Sequence, residues 1–178
     1  MIIRNATSKD ALEVRKISLS LSISRNSGKD IGFIDFNSPN EKDYIRRIKG
    51  NPFFYVAEEN GNITGFLANY SDLFLKKLNI IDDEIISHIM KKSSSFIYSE
   101  QIGIVKDYWR KGVAKMLFVK FLSDQKIKKY KKIYAAVSHY PINNMVSISL
   151  ILKLEFKLEK EINVYNGLIF GIYCKQII

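Results

Sequence analysis

Apolar and polar residues along this chain change period repeatedly, from about two to about 3.6 and back. Period two marks strands and the longer period marks helices. A short strand is expected at 2–4, followed by a helix with Ser8 as its cap and Asp10 in its first turn. Leu12, Val14, Ile17, Leu19 and Leu21 are its expected core positions. Residues 25–40 read as a loop with Gly28, Gly32 and Pro39, yet 31–36 are oddly apolar, as in a buried segment or a lid over a pocket. A second helix is expected over about 40–48, with Tyr44, Ile45 and Ile48 inward. Residues 53–58 and 63–70 read as two strands. Glu59-Asn60-Gly61-Asn62 joins them as a hairpin turn, because Asn-Gly accepts positive φ. Residues 71–95 interrupt the sheet with one helix at 82–91, which Ser93-Ser94-Ser95 breaks.

The second half continues the alternation. A long strand is expected at 96–105, and a helix after Gly112 that buries Val113, Leu117 and Phe121. A strand at 132–138, a helix at about 143–154 and two antiparallel strands, 156–164 and 168–175, around Asn166-Gly167 complete the pattern. Strands and helices in this order, with hairpins near both ends, argue α+β with a mixed central sheet.

The stretch Tyr108-Trp109-Arg110-Lys111-Gly112-Val113-Ala114 lies between a strand and a helix. The first turn of a helix leaves N–H donors unpaired, and the macrodipole adds partial positive charge there. Arg110, Lys111 and Lys115 add full charges. Such a turn suits a phosphate group, in particular a pyrophosphate.

These residues resemble motif A of the GNAT (general control N-acetyltransferase-related) acyltransferase superfamily, Gln/Arg-x-x-Gly-x-Gly/Ala. Gly112 and Ala114 match, and Trp109 stands at the first anchor. The superfamily's later signature, Asn-x-x-Ala-x-x-Leu-Tyr-x-Lys-x-Gly-Phe, is met by Asn144, Leu150, Lys153 and Phe156, with Ser147 at the Ala position. Ile151 replaces the usual Tyr and Glu155 the usual Gly. The resemblance implies one domain over 1–178. It implies an α/β/α layered α+β fold with a mixed, mostly antiparallel sheet of about seven strands, splayed between the fourth and fifth.

It also implies acetyl-CoA as co-substrate. The backbone of Ile102, Ile104 and Val105 would hold the pantetheine arm, with an N–H near Ile104 polarising the thioester carbonyl. Trp109, Arg110, Lys111, Gly112, Val113, Ala114 and Lys115 would hold the pyrophosphate, Gly112 allowing close approach. Asn144 and Ser147 would serve the pantetheine region and Lys153 a phosphate, although Lys153 reads equally as a solvated helix lysine. The acceptor would be a primary amine on a small molecule or peptide.

Acetyl transfer needs a base for the ammonium and an acid for the leaving thiolate. Glu100 is the candidate base, because period-two alternation puts it on the face of Ile102 and Ile104. With Ile151 unable to donate a proton, Tyr140 is the candidate acid, and Ser147, Tyr98 and water are alternatives. His139 reads as an ordinary hydrogen-bonding group, and Cys174 as too deep in an apolar strand to act as nucleophile.

Composition narrows the setting. A chain of 178 residues with 47% hydrophobic and 26% charged residues suits one globular unit with a substantial core. No apolar run reaches the ~20 residues of a membrane span, and Met1-Ile2-Ile3-Arg4-Asn5 lacks signal-peptide features. One cysteine precludes an internal disulfide and fits a cytoplasmic setting. One Cys and two His are a poor metal set. The net charge of +10 also fits a nucleic-acid-binding module, but the crowd at Lys126, Lys128, Lys129, Lys131 and Lys132 reads better as a solvated helix end. The loss of Tyr at Ile151 keeps a non-catalytic CoA-binding sensor in view. Residues 25–48 and 71–95 would shape the acceptor side, with Glu41, Asp82, Asp83 and Glu84 as local acidity. They name no acceptor, and a homodimer is among the assemblies the sequence allows.

Overall fold

The computed structural model describes residues 1–24, 32–34 and 39–177. Its strands there are β1 (Ile2–Asn5), β2 (Ser22–Ile23), β3 (Phe33–Ile34), β4 (Phe54–Glu59), β5 (Asn62–Ser71), β6 (Phe96–Ile104), β7 (Lys132–Tyr140), β8 (Lys157–Val164) and β9 (Leu168–Gln176). The helices are α1 (Ala11–Ser20), α2 (Glu41–Ile48), α3 (Asp72–Leu78), α4 (Glu84–Lys92), α5 (Val113–Leu122) and α6 (Met145–Lys153). Seven strands form one sheet in the order β1-β4-β5-β6-β7-β9-β8, and β2 pairs with β3 in a separate parallel ribbon. Every neighbour in the main sheet is antiparallel except β6 and β7.

Alternation along the strands sends side chains into two cores. On one face Phe54, Phe66, Tyr70, Phe96 and Tyr98 pack against Val14 and Ile17 of α1, Tyr44 and Ile48 of α2, Leu75 of α3 and Ile86 of α4. On the other, Tyr55, Leu67, Ile97 and Ile133 pack against Leu117 and Phe121 of α5 and Ile148 and Ile151 of α6. Burying one Phe or Leu side chain stabilises by roughly 1.5–3 kcal/mol, so these layers fix the sheet.

The two Asn-Gly turns form as expected: Asn60 and Gly61, and Asn166 and Gly167, all have positive φ. Other expectations change. The first helix begins as a 3₁₀ turn at Ser8–Asp10, and its cap is Thr7 rather than Ser8. Leu12 and Leu19 are exposed, because the buried stripe of α1 is Ala11, Val14, Ile17 and Ser18. α3 was not expected. Ser71 caps it, its Oγ accepting the Phe74 N–H at 3.2 Å, and the chain turns straight from β5 into helix. The lysine crowd is not at the end of α5. It lies on a separate 3₁₀ turn, Gln125–Lys129, and runs into β7. Of the apolar run 31–36, Gly32, Phe33 and Ile34 are described and the rest falls outside the described residues. Phe33 packs against the core on the α1–α2 side.

Candidate active site

Parallel pairing between β6 and β7 covers Phe96↔Lys132, Ile97↔Ile133, Tyr98↔Tyr134 and Ser99↔Ala135, and then stops. Beyond it β6 stays with β5 as far as Gly65↔Ile104, and β7 stays with β9 as far as Tyr140↔Ile169. Residues 100–104 and 136–140 thus diverge and leave two strand edges unpaired. The cause is local on each arm. Ala68 pairs with Gln101 while Asn69 pairs with Ser99, which leaves Glu100 as an extra residue in β6. Likewise His139 is extra in β7, between Ser138↔Phe170 and Tyr140↔Ile169. A bulge of this kind bends its strand and re-aims the side chains beside it.

Backbone direction on the β6 arm follows from one bond. The Val105 N–H donates to Thr64 O at 2.9 Å, so Val105 faces β5. Alternation then points the N–H and C=O of Ile104 and Ile102 away from β5, into the divergence. The Trp109 indole N–H donates to Ile104 O at 2.8 Å from that side, which agrees and ties the following loop to the strand. Val105 has no free backbone group, because its carbonyl accepts the Tyr108 N–H at 2.8 Å. The backbone groups that face the divergence are thus those of Ile102 and Ile104, whereas both backbone groups of Val105 are engaged within the protein. The side chains of Ile102 and Ile104 pack with the α5–α6 core.

The loop after β6 turns through Arg110 (φ 60) and Gly112 (φ 80), and Gly112 is the N-cap of α5 without a side-chain cap bond. The first helical bond runs from the Met116 N–H to Gly112 O at 3.0 Å. The N–H groups of Val113, Ala114 and Lys115 precede it and find no acceptor among the described residues. A Cβ built on Gly112 would meet nothing within 4 Å, so the space above these donors is open. Arg110, Lys111 and Lys115 are exposed around it, with Lys111 Nζ 5.1 Å from the centre of the Tyr108 ring. This is a cradle for an anion made of main-chain donors and flanking cations. A pyrophosphate ester fits it, and a strand-like amide chain fits the free edge of β6 beside it. Ser138 Oγ on the β7 arm is a further sign of a missing neighbour, being buried without a hydrogen-bond partner.

Asn144 caps α6, its Oδ1 accepting the Ser147 N–H at 3.1 Å, while its amide nitrogen makes no hydrogen bond among the described residues. Lys153 is exposed at the far end of α6, roughly 13 Å along the axis from Asn144. Ile151 is 4% exposed and part of the core.

Glu100 departs from expectation. The bulge puts it on the face opposite Ile102 and Ile104, toward α2. There it forms an ion pair with Arg47, whose Nη1 also lies 3.5 Å from the Tyr70 hydroxyl. The two side chains are only 16% and 19% exposed, in the order Arg47 and Glu100. The adjacent Gln101 turns the same way and accepts the Tyr44 hydroxyl at 3.0 Å. Burial is the largest influence on the Arg47 cation and works against it, but the Glu100 charge together with Tyr70 and Tyr44 more than offsets it, and the guanidinium stays protonated beyond its ordinary range. Burial first, then the Glu100 charge, pushes the Tyr70 and Tyr98 phenols upward, so both stay neutral donors. Arg47, Tyr44 and Tyr70 carry no motif; only the contact across 53 residues between Arg47 and Glu100 reveals them.

The remaining candidates separate. Tyr140 is 59% exposed at the open end of β7. His139 Nδ1 lies 2.5 Å from Glu161 Oε1 and its Nε2 2.9 Å from the Tyr173 hydroxyl, a structural bridge across three strands. Burial pushes the Cys174 thiol up to about 11, which disfavours the thiolate. Asp83 is not free to line a pocket, because one carboxylate oxygen caps α4 at Ile86 N and the other accepts the Tyr165 hydroxyl. Glu84 accepts the Tyr165 N–H at 3.0 Å. Glu41 and Asp82 are exposed. Among the described residues no group of His, Cys, Asp and Glu is placed to hold a metal, and no helix is long and apolar enough to cross a membrane.

Comparison with known proteins gives the same outline. The N-acetyltransferase of Staphylococcus aureus Mu50 superposes with a TM-score of 0.70 at 19% identity, over 99% of this chain and 98% of that one. Salmonella typhimurium yncA, solved with its cofactor acetyl-CoA, gives 0.69 at 16% identity, over 100% and 94%. The ribosomal-protein-S18-alanine N-acetyltransferase of Escherichia coli gives 0.67 at 15% identity, over 99% and 93%. At these identities the likeness speaks for the fold. No curated protein matches the sequence. The sequence pattern of the acetyltransferase (GNAT) family, however, matches residues 24–156, well over half of the chain. The protein belongs to the acetyltransferase (GNAT) family.

Proposed function

We propose that this protein is an acetyl-CoA-dependent N-acetyltransferase that moves an acetyl group to a primary amine by direct attack on the thioester. The observation that carries this reading is the pairing of an unpaired β6 edge, ending at Ile104, with an α5 N-terminus at Gly112 and Val113 that has no side-chain cap. The thioester supplies an acyl carbon that is already activated, so positioning accounts for much of the rate. Ile102 and Ile104 would orient the pantetheine amides, with an N–H near Ile104 directed at the carbonyl oxygen. The donors at 112–115, with Arg110, Lys111 and Lys115, would hold the pyrophosphate. Glu100 would take a proton from the ammonium through a water, on the α2 side of the sheet. Tyr140 would donate to the thiolate from the rim of β7.

The test is calorimetric titration with acetyl-CoA followed by release of free thiol across a panel of amines. Saturable binding and amine-dependent thiol release are expected. No binding heat at millimolar acetyl-CoA would end this reading. A second reading, a non-catalytic CoA sensor, is favoured by Ile151, which fills the core where the family signature has Tyr. It predicts the same binding with no thiol release for any amine.

A further inference from the structure

The ion pair at Glu100 has an outer side. Pro39, Asp43, Arg46, Arg47, Leu78 and Ile80 line a pocket of about 170 Å³ between α2 and the end of α3. Arg47 belongs both to this wall and to the ion pair, so the pocket is one side chain away from Glu100. A guanidinium has five N–H donors in a planar fork. Only Nη1 of Arg47 is engaged, by Glu100 and Tyr70. Nε and Nη2 have no acceptor among the described residues and are not sealed from solvent. That edge is the one that grips a carboxylate through two parallel hydrogen bonds. Arg46 adds a second guanidinium to the wall, fixed by a 3.3 Å bond to Leu78 O. The one acid on the wall, Asp43, is committed. One oxygen accepts the Asn40 N–H at 3.1 Å and the other lies 3.9 Å from Arg46. Of the acids that could draw a cationic tail, Asp83 and Glu84 are spent on Tyr165, and Glu41 and Asp82 do not line this pocket.

We propose that the acceptor is a small amino carboxylate, its carboxylate held on the free edge of Arg47 with help from Arg46 and its amine presented toward Glu100. Both ends meet groups joined through one guanidinium, so the amine and the carboxylate are separated by few bonds, as in α-, β- or γ-amino acids. The inference rests on the N-acetyltransferase reading and deepens it.

The experiment compares matched acceptors with and without the charge: β-alanine against β-alaninamide, and γ-aminobutyrate against butylamine. The acids should show kcat/KM at least about 10-fold higher, the effect of one charge-assisted pair. Arg47→Lys should erase that preference: kcat/KM for the acids should fall about 10-fold further than for the uncharged amines, whatever common loss follows from altering the partner of Glu100. A direct measurement keeps the proposal testable if Arg47 variants fold poorly. Glutarate, a dicarboxylate with no amine whose two ends can meet the two guanidiniums on the wall, should bind the wild-type protein in the presence of CoA, and Arg46→Gln should weaken it about 5-fold. Equal turnover of both members of each pair would overturn the proposal and leave the N-acetyltransferase reading intact. If no amine is acetylated, glutarate binding that Arg46→Gln weakens still supports the anion pocket while the enzymatic reading fails. Absence of glutarate binding sinks the pocket.

Discussion

The two sides of the β6 bulge are built from different materials. On the α5 side the site is main chain: the inward groups of Ile102 and Ile104 and the open donors at 112–115. Side chains there are spacers, cations or core, and their identities matter less than the backbone path they permit. On the α2 side the site is side chain: Glu100, Arg47, Tyr44, Tyr70 and Gln101 in one hydrogen-bonded patch. A backbone site recognises a chemical feature common to many substrates, whereas a side-chain patch discriminates. The division matches a donor shared across a family and an acceptor particular to one member.

Three substitutions probe that division. The largest effect is expected at Glu100. Glu100→Gln removes the proposed base and should lower kcat by roughly 100-fold or more, while acetyl-CoA affinity by calorimetry stays within about 2-fold. A parallel loss of acetyl-CoA binding would mean the two sides are not independent. Gly112→Val is the reverse probe. It puts a branched side chain at φ 80 and into the open space above the cradle. Acetyl-CoA affinity should drop roughly 10-fold, from about 1–2 kcal/mol of strain in the left-handed region and blocked approach. The ratio of kcat/KM between two amines should not change.

Asp10→Asn tests the frame away from both sides. Asp10 bonds Arg4 at 2.8 and 2.9 Å and the Thr7 N–H at 2.7 Å. The Arg4 hydrogen bond, against some cost of burial, holds the Asp10 carboxyl below its ordinary value of 3.8. A depressed carboxylate stabilises the fold above its unfolded value and loses that contribution as pH falls through the folded one. The variant should therefore be about 2 kcal/mol less stable at pH 7, and the gap to wild type should close below about pH 4 in urea titrations. Ligand affinity at pH 7 should not move. A gap independent of pH would separate the loss from Asp10 ionisation.

The contrast between the two sides also explains what the sequence disclosed. Gly112 between a strand and a helix, and Asn60-Gly61 and Asn166-Gly167 between strands, mark backbone conformations, and backbone conformations leave local signatures. The turn into α5 and the two hairpins were legible for that reason. Glu100 was assigned to the wrong face, because period-two counting cannot see an extra residue whose cause is pairing with β5. Arg47 was invisible: on an eight-residue helix with a basic last turn it looks like any solvated cation. The bond from Val105 to Thr64 was not legible either, because it depends on register, not on residue type. α3 escaped because Ser71 serves as both the last residue of a strand and a helix cap. Long-range contacts of this kind have no short sequence signal.

The central claim is that main-chain donors at the start of α5 and along the divergent edge of β6 hold the nucleotide thioester. Titrating acetyl-CoA into isotopically labelled protein and following backbone amide resonances tests it residue by residue. The account predicts large shifts and slowed exchange for Gly112, Val113, Ala114, Lys115, Ile102 and Ile104. It predicts little change for Val105, whose amide is already bonded to Thr64. Unmoved amides at 112–115, with the shifts gathered elsewhere on the protein, would contradict it.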